Sequence, residues 1–516
     1  ASSAQDKSPI SGLRFASTEP MAIDPSKLVF ASATELLGLL KSGAVKSSEL
    51  TDAYIARIEA LDHQDGINAV VVRDFGRARS RAAAADAARA RGENWGPLHG
   101  LPMTVKENND VEGLPTTLGN PKLRRIAQAN SVAVQRLIDA GAVLMGKTNL
   151  ALDCNDVQSY NSIYGIARNP HDLSTTPGGS SGGSAAALAA GLTGLEMGGD
   201  IGGSIRTPAH CCGVFGHKTT FGVIPASYQD IVVKGPLARS AEDLALALDI
   251  LAGPPPGPIA RGWHLELPRT TKRRLADFRV AVWADDPACP VDRDIASAVQ
   301  RVVIALRKAG ALVDEAARPD FDPAEVFDLY KQLLASAENT SLSVGELREA
   351  FAEAESLQMT DLSELAMQKR WIVQSHHAWH AANVRRHELR TKWEAFFQSF
   401  DILVAPICCA DAWPHDHSGA TDQPFWKVGE RIIPGNGRDT PYHRQVFWSG
   451  VTNVAFNPST VFPAGTSEAG LPVGLQAVGA EFNDHTTIAF AAALAREAPG
   501  FDFVAPKAGG LAASKL

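Results

Sequence analysis

Apolar positions recur at helical spacing in some stretches of the chain and cluster at strand length in others. Ser32 and Glu35 stand at capping-box spacing and predict a helix after Ser32. A second helix is predicted near Ser47, with Leu50, Tyr54, Ile58 and Leu61 on one face, and residues 68–72 read as a short buried strand. The Ala/Arg-rich stretch 76–91 reads as a solvated helix. Residues 101–105 then predict a strand, 131–140 a helix carrying Val134, Leu137 and Ile138, and 142–145 another strand. The run from Gly253 to Pro258 punctuates the chain, after which strand (278–283) and helix (296–309) resume. A long helical, polar stretch from about 323 to 399 holds Trp371, Trp379 and Trp393, read as helix packing, and leads into the apolar strand 402–404. Alternation of this kind predicts an α/β layered fold.

Composition narrows the picture by exclusion. At roughly 150 residues per domain, 516 residues suggest about three domains, or one large α/β domain. Lys+Arg 49 against Asp+Glu 57 leaves a net charge of -8, so no global basic field attracts nucleic acid or an anionic membrane. Six cysteines, among them the adjacent pairs Cys211-Cys212 and Cys408-Cys409, fit neither a disulfide framework nor C-x-x-C metal sites, and read as reduced apolar residues of a cytoplasmic protein. The longest uncharged stretch, 173–195, begins with Ser, Thr, Pro and Gly and does not read as a membrane span. The first 20 residues are polar and lack an apolar signal-peptide region, so residues 1–26 read as an extension with a processed or trimmed start. The final Ser514-Lys515-Leu516 spells a peroxisomal address, a match that chance supplies easily.

Two motif matches fail on context. Gly141 to Thr148 satisfies G-x-x-x-x-G-K-[ST], but a helix precedes Gly141 and the middle residues are apolar and strand-like, so a strand flanked by glycines is the better reading. Gly178-Gly179-Ser180-Ser181-Gly182 satisfies the nucleophile-elbow pattern of α/β-hydrolases, yet the preceding 172–177 is turn-like rather than a hydrophobic strand. His415 and His417 flank Asp416 but lie in a Pro-containing loop, and His376 and His377 read as helix surface; neither pair is taken as a metal site.

The glycines point to the chemistry. Of 44, 12 lie between Gly178 and Gly216. Residues 177–191 form a loop of small hydroxyl residues and glycine running into an Ala/Leu helix, a geometry in which several amides and hydroxyls converge on one point. Residues 198–208 place Gly202 and Gly203 directly before Ser204, so that successive amides approach a substrate carbonyl oxygen closely.

These blocks, with Gly100-Leu101-Pro102 to Asn108, Gly146-Lys147-Thr148-Asn149, Cys212 to Thr219, Gly235-Pro236-Leu237-Ala238-Arg239-Ser240 and Gly470 to Gln476, resemble the amidase signature family of serine hydrolases over roughly residues 27–500. The resemblance implies a central mixed β-sheet sandwiched between layers of α-helices, in one domain (27–505) with a signature core at about 100–253, a helical elaboration at about 323–399 and a tail at 506–516. It implies Ser204 as nucleophile, Ser180 as bridging serine after a cis peptide with Gly179, and Lys106 as base. The amides of Ile201, Gly202, Gly203 and Ser204 would form an oxyanion hole, Ser181 would hydrogen-bond within the network around Ser204, and Asp200 and Arg206 would brace the loops, with no metal or organic cofactor. Lys147 and Lys218 are taken as structural. By the same resemblance 152–158 forms part of the acyl pocket, where Leu152, Cys154, Asn155 and Val157 suit a medium-sized, partly apolar group. The expected activity is hydrolysis of a small-molecule amide, extending to esters or carbamates, without nucleic-acid or membrane partners; a homodimer is left open. Alternatives are the glutamine-hydrolysing component of an aminoacyl-tRNA amidotransferase and an α/β-hydrolase-type esterase. One departure stands out: where many family members have Leu-Lys-Pro-Thr, this chain has His217-Lys218-Thr219-Thr220, which places local packing in question.

Overall fold

A computed structural model describes residues 24–226, 229–339, 342–418 and 431–507; most of the N-terminal extension and the last residues, including Ser514-Lys515-Leu516, lie outside the described residues. Eight strands form a mixed sheet in the order Leu312–Asp314, Arg279–Val282, Ile402–Ala405, Pro472–Val478, Ser459–Thr466, Phe215–Lys218, Val233–Ala238 and Glu196–Asp200. The first three run parallel to one another and the remaining pairings are antiparallel.

Alternation along Ser459–Thr466 shows why helices cover both faces. Thr460 and Phe462 point to helix Asp484–Glu497, meeting Thr487 and Phe490. Val461 points the other way, toward His210 of helix Arg206–Cys212, where Gly474 lets the two backbones approach: a Cβ there would lie 2.9 Å from His210 Cα. Successive residues of a strand face opposite sides, so the sheet is sandwiched between helical layers.

A smaller sheet orders Val70–Arg73, Val143–Thr148 and Pro102–Lys106. Its last strand abuts the edge of the large sheet, where Thr104 N–H donates to Leu195 O at 3.3 Å and Gly194 N–H to Pro102 O at 3.2 Å. This seam sets the end of Pro102–Lys106 beside the end of Glu196–Asp200. One connected apolar core runs from Val29 to Phe501.

Most local expectations hold within a residue or two: the capping box at Ser32 and Glu35 opens helix Ala33–Ser42, and Ser47–Leu61 follows. The helix read as solvated, Phe75–Ala90, buries Ala78, Ala82, Ala85 and Ala88 at helical spacing, because alanines pack closely where the pattern shows no large apolar residue. The apparent phosphate loop is indeed strand, Val143–Thr148. The stretch 323–399 resolves into helices Pro323–Glu338, Val344–Glu355, Glu364–Ile372 and His376–Phe397, with Trp393 buried. No helix among the described residues is long and apolar enough to cross a membrane.

Candidate active site

Lys106 ends a strand whose five residues are all buried, and its Nζ donates to Ser180 Oγ at 2.6 Å. Burial pushes its amine below the ordinary 10.5, against the opposing pull of Cys154, Asp200 and Glu196. The acids nearest in sequence are spent elsewhere. Glu107 accepts the amides of Thr117 and Leu118 at 2.6 and 3.0 Å, and Asp110 pairs with Arg125 at 2.8 Å.

Ser180 follows a cis peptide bond with Gly179. The turn is fixed by Ser159, whose Oγ donates to Gly178 O and Ser180 O and accepts Gly182 N–H at the start of helix Gly182–Ala189. Ser181, expected within the network of side chains around Ser204, instead donates its hydroxyl to Gly199 O at 3.3 Å. Its contact with Ser204 runs through backbone, Ser181 N–H to Ser204 O at 3.1 Å.

Strand Glu196–Asp200 delivers the loop that carries Ser204. Asp200 and Arg206 form a fully buried pair at 2.9 Å. Burial pushes the Asp200 carboxyl up, but the Arg206 guanidinium and the Gly203 and Ile205 amides outweigh it and hold it below the usual carboxylate range. Arg206 Nη1 reaches on to Ser449 O, Thr452 Oγ1 and Gln476 Oε1 at 2.9–3.1 Å. Asn453 Nδ2 and the Tyr330 hydroxyl hold the Ile201 carbonyl. Gly202 is closed in by the same tyrosine, since a Cβ there would collide with its hydroxyl.

One expectation for this loop is corrected. Gly203, at φ +111°, directs its N–H to Asp200 Oδ1 at 2.8 Å, so this amide is withdrawn from any anion above the loop. The N–H groups of Ile201, Gly202 and Ser204 have no acceptor among the described residues.

Lys106, Ser180, Asp200, Ile201 and Ser204 line one cleft of about 1480 Å³. Leu152, Cys154 and Asn155 lie on its wall, carried by a turn in which Asp153 and Cys154 have φ of 52° and 61°. Val157 does not reach the wall: it is 5% exposed and joins the apolar core, behind the Gly179 backbone. Lys147 donates to Pro115 O and Thr116 Oγ1, and Lys218 to Asn457 O. No cluster of metal-ligating side chains occurs among the described residues, and all six cysteines are unbridged. His217, the departure from the family pattern, lies between Thr460 Oγ1 at 2.9 Å and Asp484 Oδ1 at 3.1 Å. Thr220 donates its amide and hydroxyl to the same carboxylate, so the substitution is packed as a buried polar network. Sequence reading missed Tyr330 and Asn453, which no local signal marks. It also missed Lys234, another residue of the cleft wall, although that residue immediately precedes the Gly235–Ser240 block.

A family model described as Amidase matches residues 49–488. An acylamidase of Rhodococcus erythropolis is 31% identical over 93% of this chain and 96% of its own length. A glutamyl-tRNA(Gln) amidotransferase subunit of Moorella thermoacetica is 31% identical over 90% of this chain and 95% of its own. The solved structure of a bacterial aryl acylamidase of the amidase signature family superposes with a TM-score of 0.73 at 26% identity, covering 91% of this chain and 96% of that one.

Proposed function

The chain belongs to the amidase family, an enzyme of C–N hydrolysis, and on that footing we propose that it cleaves a carboxylic amide through Ser204, Ser180 and Lys106. The observation that carries this reading is the buried Lys106 Nζ bonded at 2.6 Å to the Ser180 hydroxyl, in the cleft that also exposes Ser204. A lysine serves as a base only when neutral, and desolvation favours that form.

In the reaction, Ser204 Oγ attacks the amide carbon while its proton passes to Ser180 Oγ and the Ser180 proton passes to Lys106 Nζ. The carbonyl oxygen, now an anion, lies against the free amides of Ile201, Gly202 and Ser204. Collapse breaks the C–N bond, and the proton held by Lys106 returns through Ser180 to the departing amine. Water then attacks the acyl-Ser204 ester, passing its proton through Ser180 to Lys106; the C–O bond to Ser204 breaks, that proton returns through Ser180 to Ser204 Oγ, and the carboxylic acid leaves. The same steps apply to esters and carbamates. Leu152, Cys154 and Asn155 face the acyl group of a small-molecule substrate. Incubation of Ser204→Ala with a panel of amides and esters tests the assignment, alongside mass spectrometry of an acyl adduct on Ser204 in the native enzyme; full activity in the variant refutes it.

A second reading, glutamine hydrolysis within an aminoacyl-tRNA amidotransferase, draws on the glutamyl-tRNA(Gln) amidotransferase relatives, which match with comparable identity and coverage. Glutaminase activity that appears only with partner proteins would establish it; an isolated enzyme that turns over simple amides and not glutamine would exclude it.

A further inference from the structure

Lys234 is a cation in the cleft that no carboxylate among the described residues neutralises. It stands in antiparallel register with Gly199, one residue before Asp200, and its side chain lies across that glycine: a Cβ at Gly199 would be 3.8 Å from Lys234 Cδ and 3.9 Å from its Nζ. The ammonium reaches Asn109 Oδ1 at 2.8 Å. Asn109 is itself tied to the chemistry, its Nδ2 donating to Lys106 O at 2.9 Å. An ammonium has three N–H donors, and among the described residues only this one bond is made, to a neutral amide. Of the acidic groups that its field senses, Cys154 is a thiol rather than a carboxylate, and Asp110 is committed to Arg125. Burial, with the neighbouring Lys106, lowers the Lys234 amine to about 8, so it still carries its charge at neutral pH.

A desolvated cation with two unspent donors, facing the cleft that holds Ser180 and Ser204, is complementary to an anionic oxygen of a ligand. We propose that Lys234 is a specificity-determining residue that binds a carboxylate on the substrate, so that the preferred substrates are amides bearing an acid group within reach of the scissile bond. This inference rests on the amidase reading of the same cleft. The carboxylate replaces the missing counter-ion of Lys234, while Asn109 holds the ammonium in place.

The test compares amides of matched chain length whose acyl part ends either in a carboxylate or in its methyl ester, with the native enzyme, Lys234→Met and Lys234→Arg. The expected result is a native preference for the carboxylates in kcat/KM, carried mainly by KM. Lys234→Met should lose about 10- to 100-fold on them, the scale of a charge-assisted hydrogen bond, and little on the esters, while Lys234→Arg retains most of the preference. Absence of a native preference, or an equal loss on both series in Lys234→Met with unchanged thermal stability, overturns the inference while leaving the amidase reading intact. Should neither series be hydrolysed, the amidase reading itself fails; carboxylate affinity measured directly by calorimetry, native against Lys234→Met, then decides whether Lys234 binds the anion.

Discussion

Lys106 and Lys218 are both fully buried lysines at the ends of strands, yet their hydrogen-bond partners differ in kind. Lys218 donates to the Asn457 carbonyl at 2.6 Å and has no access to the cleft. Lys106 donates to a serine hydroxyl on the cleft wall. Burial lowers both amines, that of Lys218 to about 7, so a depressed lysine does not by itself mark chemistry. The acceptor distinguishes them. A carbonyl oxygen has no proton to pass on, whereas a hydroxyl accepts with its lone pair and donates with its hydrogen, so Ser180 can serve as the relay of the proposed mechanism and the Asn457 carbonyl cannot.

The contrast is broken or sharpened most strongly by removing the Lys106 amine. Lys106→Ala is expected to lower kcat on amides by about 10²- to 10⁴-fold, the range of general acid–base catalysis, and to lower ester turnover less, since an alkoxide departs more easily than an amine. Lys218→Met should leave turnover per folded molecule nearly unchanged. Steady-state kinetics on a paired amide and ester decide the point, and equal mild losses in Lys106→Ala would remove it from the acid–base role.

The next effect concerns the frame between the two lysines. Arg206→Met leaves Asp200 as an unpaired buried charge and should cost about 3–5 kcal/mol in urea unfolding. A loss below about 1 kcal/mol would mean that the Gly203 and Ile205 amides alone hold the carboxylate. Smaller again, His217→Leu restores the common family residue but strips one partner from buried Asp484; a destabilisation of about 1–3 kcal/mol is expected, and a gain in thermal stability would show the polar network to be dispensable.

A last test reads Lys218 by pH. Its amine titrates near 7 in the folded state against about 10.5 in the unfolded chain, so between those values the unfolded state binds the extra proton and stability rises with pH. The stability of the native enzyme minus that of Lys218→Met should therefore grow over this window, by no more than about 1.4 kcal/mol per pH unit. A difference that stays flat across this window would mean the buried amine stays charged.

What the sequence disclosed, and what it hid, follows the range of the interactions. The capping box at Ser32 and Glu35, the face of Ser47–Leu61 and the strand at 402–404 are local patterns, and the structure returns them almost unchanged. The glycine-rich blocks were legible because close approach of backbone demands glycine. The roles within them were not. That Gly203 turns its amide to Asp200, that Ser181 turns its hydroxyl to Gly199 and that Val157 packs inward depend on side-chain directions in tight loops, which residue type leaves undetermined. Tyr330 and Asn453 reach Ile201 from positions 129 and 252 residues away, and only the tertiary fold brings them there.

The reach of Arg206 also orders events during synthesis. Its guanidinium docks on Gln476, 270 residues later, and Gln476 sits on the strand between Ile402–Ala405 and Ser459–Thr466 in the large sheet. A nascent chain that has already exposed Lys106, Ser180 and Ser204 to the surroundings still lacks the strand that anchors the Ser204 loop from behind. If Ser204 is the nucleophile proposed above, the loop that carries it is therefore braced only once residue 476 has left the ribosome, and a product truncated before that point carries the loop without its anchor.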